Sequence, residues 1–332
     1  MIDGLSKHSD AVFAMSSNLD VNAVQIAVVI PTFKRPDHLE KTLTSVANQK
    51  TIRRFAAVVV ENHAADLAGA RVAADMFSQG LASGICIVEP RQGNCNAYNA
   101  GFAAALATFP NLTHVAIIDD DEVAVPDWLE LLASTAHVYS ADCVGGPQRP
   151  VFDDVAGSSL YAQHPVFRAA HRATGAAGLI TSTGNCLIAV KVLKVIGRPW
   201  LDERFNFLGG GDTDFFTRCR GMGYTFHWAE EAAVAETVPA RRTERSWITA
   251  RSLRNGQISA IIQRKHNPGV LGHLKVIAKT LALCAASPLR SLALSWQTGS
   301  FYVGSYHMMI AAGRVMAEFG YTIEQYREPE KN

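Results

Sequence analysis

Short apolar runs alternate with amphipathic segments through the first half of the chain. Ile26–Ile30 reads IAVVI, an unbroken run of the kind a strand buried on both faces needs, and Pro31 stops it. Asp37–Asn48 then places Leu39, Leu43 and Val46 at helical spacing. Ala56–Val60 and Ile85–Val88 repeat the strand pattern, with Leu67–Phe77 and the small-residue segment Ala97–Ala107 as helices. Val115–Ile118 is a fourth strand, and it ends on Asp119, Asp120, Asp121 and Glu122. This alternation predicts an α/β fold with a mostly parallel sheet and crossover helices.

After Pro126 the rhythm changes. Trp128–Tyr139 reads as a helix, and Cys143–Gln148 as a strand bent at Gly145-Gly146-Pro147. Phe152–Ala177 has little period and predicts an irregular excursion near the site. Leu187–Val190, Asp212–Met222 and Tyr224–Trp228 read as strand, helix and strand. Glu244–Lys265 reads as a long helix, with further apolar helical segments to Phe319 and no internal repeat.

The 332 residues are 48% hydrophobic and 18% charged, which supplies a large core and excludes a disordered chain. A net charge of +1 hides an asymmetry. Pro239–Arg314 holds 11 basic residues and one acid, Glu244, for +10, leaving −9 on the rest. Six cysteines lie far apart without a CxxC pair, so buried thiols in a reducing compartment are expected, not disulfides or a zinc cluster. The N-terminal stretch carries Asp3 and Asp10 and no long apolar run, so it does not read as a secretory signal; a cytoplasmic protein is expected.

Two acidic features suggest chemistry. In open α/β sheets ligands bind at the carboxyl ends of the strands, where Val115–Ile118 delivers three consecutive aspartates. Adjacent carboxylates repel one another, and a hard divalent cation bridging to a diphosphate would neutralise them. A solvated acidic loop is the plainer reading of the run alone. Further on, Gly209-Gly210-Gly211-Asp212-Thr213-Asp214 sets a glycine-rich turn before a helix, where Asp212 has the position of a helix cap or of a site residue.

Taken together these segments resemble family 2 glycosyltransferases with the GT-A fold. Val29-Ile30-Pro31-Thr32-Phe33-Lys34-Arg35-Pro36 is similar to the family's first nucleotide-binding loop, and Val58–Asn62 to its strand ending in an acidic pair. Gly93-Asn94 through Asn99-Ala100-Gly101 resembles its third loop, Asp119–Asp121 its DxD motif, and GGGDTDF the motif usually written GGEDxDF. The likeness runs from about Val24 to Gln257. Within the family it is similar to bacterial exopolysaccharide glucosyltransferases of the succinoglycan type, whose tails also carry a segment like Ile323-Glu324-Gln325-Tyr326.

The resemblance implies a GT-A domain over 24–240, an N-terminal extension over 1–23 and a helical region over 241–332. It implies an inverting transfer of one hexose, glucose or a relative, from a UDP-sugar or similar donor. Pro31, Thr32, Arg35, Glu61, Asn62, Asn94, Asn99, Asp119 and Asp120 would line the nucleotide sugar. Asp121, with Asp119, would hold Mg2+ or Mn2+, and Asp212 would be the general base. The acceptor implied is a saccharide, polyprenyl-diphosphate-linked, in exopolysaccharide synthesis. Three positions depart from the pattern: Gly211 stands in place of Glu, Tyr98 in place of Arg, and Ala235 in place of a His for which His227 or Glu236 would have to substitute. They leave open an alternative, a GT-A-fold protein that binds a nucleotide sugar or a partner without transfer. The chain has no QxxRW motif, so one sugar per encounter is expected. A sugar nucleotidyltransferase would need a glycine-rich loop with Arg and Lys after the first strand, which is missing.

Arg241, Arg242, Arg245, Arg251 and Arg254 cluster around Trp247 without any nucleic-acid-binding motif, so no nucleic acid partner is expected. Ser291–Gly313 contains no Asp, Glu, Lys or Arg; Lys275, Lys279, Arg290 and Arg314 flank apolar stretches, and Trp296, Tyr302 and Tyr306 suit an interface. The expectation is peripheral contact with an anionic membrane, on the cytoplasmic face of the inner membrane; a packed helical subdomain is the alternative.

Overall fold

A computed structural model describes residues 12–153, 161, 163–169 and 172–327. Asp3, Asp10 and part of the 152–177 excursion lie outside the described residues. The chain divides into two compact units. The first comprises Met1–Arg149, Ala169–Asn206 and Gly211–Glu236; the second comprises Pro150–Arg168, Phe207–Gly210 and Thr237–Asn332.

The first unit is an α/β sheet with helices. In chain order it contains β1 (Val12–Met15), β2 (Ile26–Thr32), α1 (Pro36–Ala47), β3 (Phe55–Glu61), α2 (Ala68–Ser78), β4 (Gly84–Val88), α3 (Asn94–Thr108) and β5 (His114–Ile118). There follow β6 (Glu122–Ala124), α4 (Trp128–Tyr139), β7 (Cys143–Gly145), β8 (Gln148–Phe152), β9 (Gly175–Ala177), β10 (Asn185–Ala189) and α5 (Val190–Ile196). Then come α6 (Gly211–Gly221), β11 (Phe226–Trp228) and β12 (Val234–Val238), with β8 and β12 running on into the second unit.

Nine strands form one sheet in the order β1-β4-β3-β2-β5-β10-β7-β11-β9. The β4-β3-β2-β5 block is parallel, and β10 runs antiparallel between β5 and β7. Every residue of β2 is buried, which is why its sequence is apolar without alternation. Leu39, Leu43 and Val46 of α1 are buried on one side of the sheet. On α3, Gly101 lets the helix lie close: a Cβ there would come 2.5 Å from Val29 Cγ1.

Four local readings need correction. The first strand does not stop at Pro31 but runs to Thr32, with Pro31 opposite Val60 of β3. β5 pairs with β2 only as far as Val29, so Pro31 lies where that side of the ladder has ended and a missing N–H costs little. α3 begins at Asn94 and not Ala97. The segment Cys143–Gln148 is split, β7 ending at Gly145 and β8 starting at Gln148. The strand read over Leu187–Val190 is β10, Asn185–Ala189, and Val190 instead opens α5. All six cysteines are free, five of them buried.

The second unit is built from α7 (Arg245–His266), α8 (Gly269–Thr298), α9 (Phe301–Gly304) and α10 (Tyr306–Glu318). α10 crosses α7 at glycines: a Cβ on Gly313 would come 1.9 Å from Leu253 O, and one on Gly256 2.2 Å from Ile310 O. The close crossing brings Arg314 onto the polar face of α7. Arg314 is wholly buried and donates to Ser259 Oγ (2.8 Å), Gln263 Oε1 (3.0 Å) and Thr280 Oγ1 (3.1 Å).

That placement corrects the reading of Arg314, Tyr302 and Tyr306 as interface residues. The Tyr302 hydroxyl donates to Arg245 O at 2.8 Å, and both tyrosine rings pack on buried His164. Part of the arginine cluster also faces inward, while Arg241 and Arg245 stay exposed. Trp247 stacks on Phe167, with Arg242 and Arg251 over its ring, and Arg254 is buried. α8 behaves differently. Apart from Val276 it buries small or polar residues (Gly272, Thr280, Ser287, Ser291) and turns Leu271 (76% exposed), Leu281, Leu289, Leu292 and Trp296 (91%) outward. Among the described residues it is the one helix long and apolar enough to cross a membrane.

Candidate active site

β2 and β5 are parallel neighbours, so their carboxyl ends lie side by side. The last residue of β2 is Thr32, the loop after it supplies Arg35, and the loop after β5 supplies Asp119, Asp120 and Asp121. The Thr32 hydroxyl donates to Asp120 Oδ2 at 2.9 Å. Arg35 Nη1 donates to Asp120 Oδ1 at 3.3 Å and to Asp121 Oδ2 at 2.8 Å. Thr42 of α1 donates to the backbone oxygen of Asp120 at 2.8 Å and of Glu122 at 2.6 Å, fixing the acidic loop against the helix. Pro31 is buried behind this contact.

The electrostatics are those of a crowded acidic cluster. Burial first, then the charge of Asp121, pushes the Asp119 carboxyl up to about 7. Burial also lifts Asp120, to about 6, against the pull of Arg35. Glu122 is fully buried, and burial with the charges of Asp119 and Glu236 holds it well above the usual carboxylate range. Burial works against the Arg35 charge, but Asp120 and Asp121 more than offset it and raise its pKa.

Glu122 was not among the expected site residues, and Glu236 was expected only as a substitute for the His missing at Ala235. Glu122 accepts from the Asp119 backbone N–H at 2.9 Å and from Gln148 Nε2. Glu236 lies directly opposite Glu122 in the β12–β6 ladder, one residue past Ala235. His227 does not join the cluster: it stacks on Tyr139 with ring centroids 4.7 Å apart.

The other expected residues are placed as follows. Glu61 is buried at the end of β3 and accepts from the backbone N–H of His63 (2.8 Å) and Ala70 (3.1 Å). Asn62 donates to Glu89 O and Arg91 O and accepts from Gly93 N, pinning the loop before α3. Beside them Phe33 and His63 form an edge-on aromatic pair at 5.1 Å, which no sequence pattern signalled. Asn94 opens α3 and is exposed. Asn99 exchanges two hydrogen bonds with the Leu201 backbone, at 2.8 and 2.9 Å. Tyr98, 1% exposed, donates its hydroxyl to Asp119 Oδ1.

Asp212 lies in the first turn of α6, half-buried, where its Oδ1 accepts from Thr213 N at 2.6 Å. Thr213 Oγ1 donates to Thr181 O at 3.3 Å, just before β10. β10 runs antiparallel to β5 with Asn185 opposite Ile118, so the start of α6 lies at the same end of the sheet as the aspartates. Both Asp119 and Asp212 act electrostatically on the buried thiol of Cys186, which burial already pushes up. Asp214 turns inward to Arg218 (3.3 Å) and is fully buried. Gly211 is explained by its neighbour: a Cβ there would lie 2.6 Å from Cys95 Sγ.

The sheet and this acidic strand end define a nucleotide-diphospho-sugar transferase fold of the GT-A type. The glycosyl transferase family 2 model matches residues 27–197, just over half of the chain, and the chain belongs to that family. It is thus a glycosyltransferase. It is 29% identical over 242 residues to the succinoglycan biosynthesis protein ExoM of Rhizobium meliloti (strain 1021), covering 70% of this chain and 74% of that protein. Two solved structures share the fold. The mannosyltransferase PcManGT from Pyrobaculum calidifontis, in complex with GDP-Man and Mn2+, is 16% identical with a TM-score of 0.60, over 92% of this chain and 90% of that one. TarS 1-349 of S. aureus, in complex with UDP, is 14% identical with a TM-score of 0.52, over 90% and 91%.

Proposed function

We propose that the chain moves one hexose, glucose or a relative, from a nucleoside-diphosphate donor to a lipid-linked saccharide in surface-polysaccharide synthesis, with inversion. The observation that carries this reading is the end of β5, where three consecutive carboxylates and Arg35 lie at the same end of the sheet as Asp212. The polysaccharide setting is supported by the similarity to ExoM, and the donor class by the UDP and GDP-Man in the related structures.

The residues fit a divalent cation in their chemistry. They offer hard oxygens, and burial, added to by their mutual repulsion, lifts Asp119 and Asp120 above the usual carboxylate range. Among the described residues no group of three or more side chains is arranged to hold an ion alone. Asp121 and Asp119 would hold Mg2+ or Mn2+ together with the bound donor. When bound, such an ion offsets charge on the departing nucleoside diphosphate. Arg35 would then turn part of its charge to the same phosphates, while Thr32 keeps Asp120 oriented. Asp212 would take the proton of the acceptor hydroxyl as it attacks the anomeric carbon.

Glu61 and Asn62, which fix the loops beside Phe33 and His63, would shape the nucleoside site, and Asn94 and Asn99 would contribute to it from α3. Contacts account for two of the three departures from the family pattern, Cys95 for Gly211 and Asp119 for Tyr98, and Glu236 brings an acid beside Ala235. This supports transfer over bare binding. The outward face of α8, with Lys275, Lys279 and Arg290 and no acid on that helix, fits peripheral contact with an anionic leaflet on the cytoplasmic side. The direct test is nucleoside diphosphate release from UDP-glucose, UDP-GlcNAc and GDP-mannose, with Mn2+ and with EDTA. Metal-dependent release from one donor is expected. No release from any donor, alongside intact nucleotide binding, would favour the binding-only alternative.

A further inference from the structure

We infer that residues 323–327 are a strap fixing the Gly209-Gly210 turn, the backbone by which the chain enters α6, and that Tyr326 is thereby a positioning residue for Asp212. The inference rests on the assignment of Asp212 as base.

Both glycines hold left-handed conformations, φ +81° and +90°, that other residues rarely adopt. Left to itself a Gly-Gly turn samples many conformations, so something must select this one. Tyr326 does so at the first glycine. Its N–H donates to Phe207 O at 3.1 Å, and a Cβ on Gly209 would lie 2.9 Å from Tyr326 Cε2. Ile258 of α7 does so at the second, where a Cβ would lie 2.4 Å from its Cγ2.

The strap is itself held at several points. The Tyr326 hydroxyl accepts from Arg251 Nη1 at 2.7 Å and from Arg254 Nη2 at 3.5 Å, and the Arg254 guanidinium lies 4.6 Å over the ring. The Ile323 N–H donates to Gln257 Oε1 at 2.9 Å, and the Arg327 guanidinium covers the Phe207 ring at 4.6 Å. These contacts reach two elements, α7 and the 207–210 turn. They give a role to two arginines of the basic cluster and to the tail segment that the nucleotide site does not use. Gly210 is bonded to Gly211, and Asp212 follows, so a turn that wanders moves the carboxylate through the chain itself. A displacement of about 1 Å at a reacting group costs up to about a hundredfold in rate.

The experiment compares the parent enzyme with Tyr326→Ala and Tyr326→Phe. It reads amide hydrogen exchange at 208–212, UDP affinity by calorimetry, the thermal midpoint, and kcat with the nucleotide sugar that the parent turns over. Tyr326→Ala is expected to speed exchange at 208–212 and lower kcat about 10- to 100-fold. UDP affinity should stay within about threefold, with each variant assayed well below its own thermal midpoint. Tyr326→Phe keeps the ring on Gly209 and should recover most of the rate. Unchanged exchange in Tyr326→Ala overturns the strap, and faster exchange with full kcat overturns the positioning role. A joint fall in kcat, UDP affinity and thermal midpoint also overturns it, because that is general destabilisation. Asp212→Asn is run in parallel. If it keeps its activity, the base assignment fails, while the exchange at 208–212 still reports on the strap.

Discussion

The hydroxyl of Tyr98 donates to Asp119 Oδ1 at the base of the acidic cluster, from a side chain with almost no exposure. The contact satisfies a buried carboxylate oxygen without adding a positive charge. Removing only the hydroxyl, in Tyr98→Phe, leaves that oxygen short of a donor. The expected loss is about 1–3 kcal/mol of stability, read as a lower urea midpoint at unchanged m-value. Parent-like stability would mean that Asp119 does not depend on Tyr98.

Gly211→Ala tests why α6 starts on glycine. Alanine within a helix ordinarily gains up to about 1 kcal/mol over glycine. Here the new Cβ meets Cys95 Sγ at 2.6 Å, so a net loss of about 1–3 kcal/mol is expected. In a Cys95→Ala background the sulfur is gone, and the same substitution should be neutral or stabilising. A double-mutant cycle by chemical denaturation measures the coupling, and equal costs in both backgrounds would remove Cys95 as the cause.

Tyr326 gives a pH dependence with a defined sign. Burial alone would raise its pKa, but Arg251 and Arg254 outweigh it and bring the phenol down to about 7. An unfolded tyrosine titrates near 10. Between about pH 7 and 10 the unfolded chain therefore binds more protons at this group, and stability rises with pH. The contribution is complete above about 10 and lost as pH falls through about 7. Thermal midpoints of the parent, relative to Tyr326→Phe, should climb across this window; parallel profiles would contradict the assignment.

The parallel block was legible because its strands are buried on both faces and must be apolar throughout, as IAVVI and VAII are. β6, β9 and β12 were not, since three to five residues carry no readable period and their pairing is decided by tertiary contacts. Val190–Ile196 reads VKVLKVI, a β-branched run whose own preference is for strand, and it forms α5 only in context. The aspartate run was legible because it ends a strand. Glu236 reaches Glu122 only through a ladder between distant segments. Arg314 read only as a basic flank of an apolar stretch because nothing in the sequence shows α10 crossing α7 at Gly313.

Vesicle flotation tests the outward face of α8. The protein should float with anionic phosphatidylglycerol vesicles at low salt and less at high salt, since each basic residue near such a surface contributes about 1 kcal/mol. Leu292→Ser with Trp296→Ser, both exposed, should reduce flotation without changing the thermal midpoint. Equal recovery with neutral and anionic vesicles, and from both proteins, would leave α8 as surface of the helical unit only.

The account turns on Asp212 as the group that takes the acceptor proton. Asp212→Asn keeps the shape of the side chain and removes its basicity, so the measurement is single-turnover sugar transfer beside UDP affinity by calorimetry. The expected result is a loss of roughly 10²–10⁴ in the transfer rate with UDP affinity within a few-fold of the parent. Near-parental transfer by the Asn variant would contradict the account.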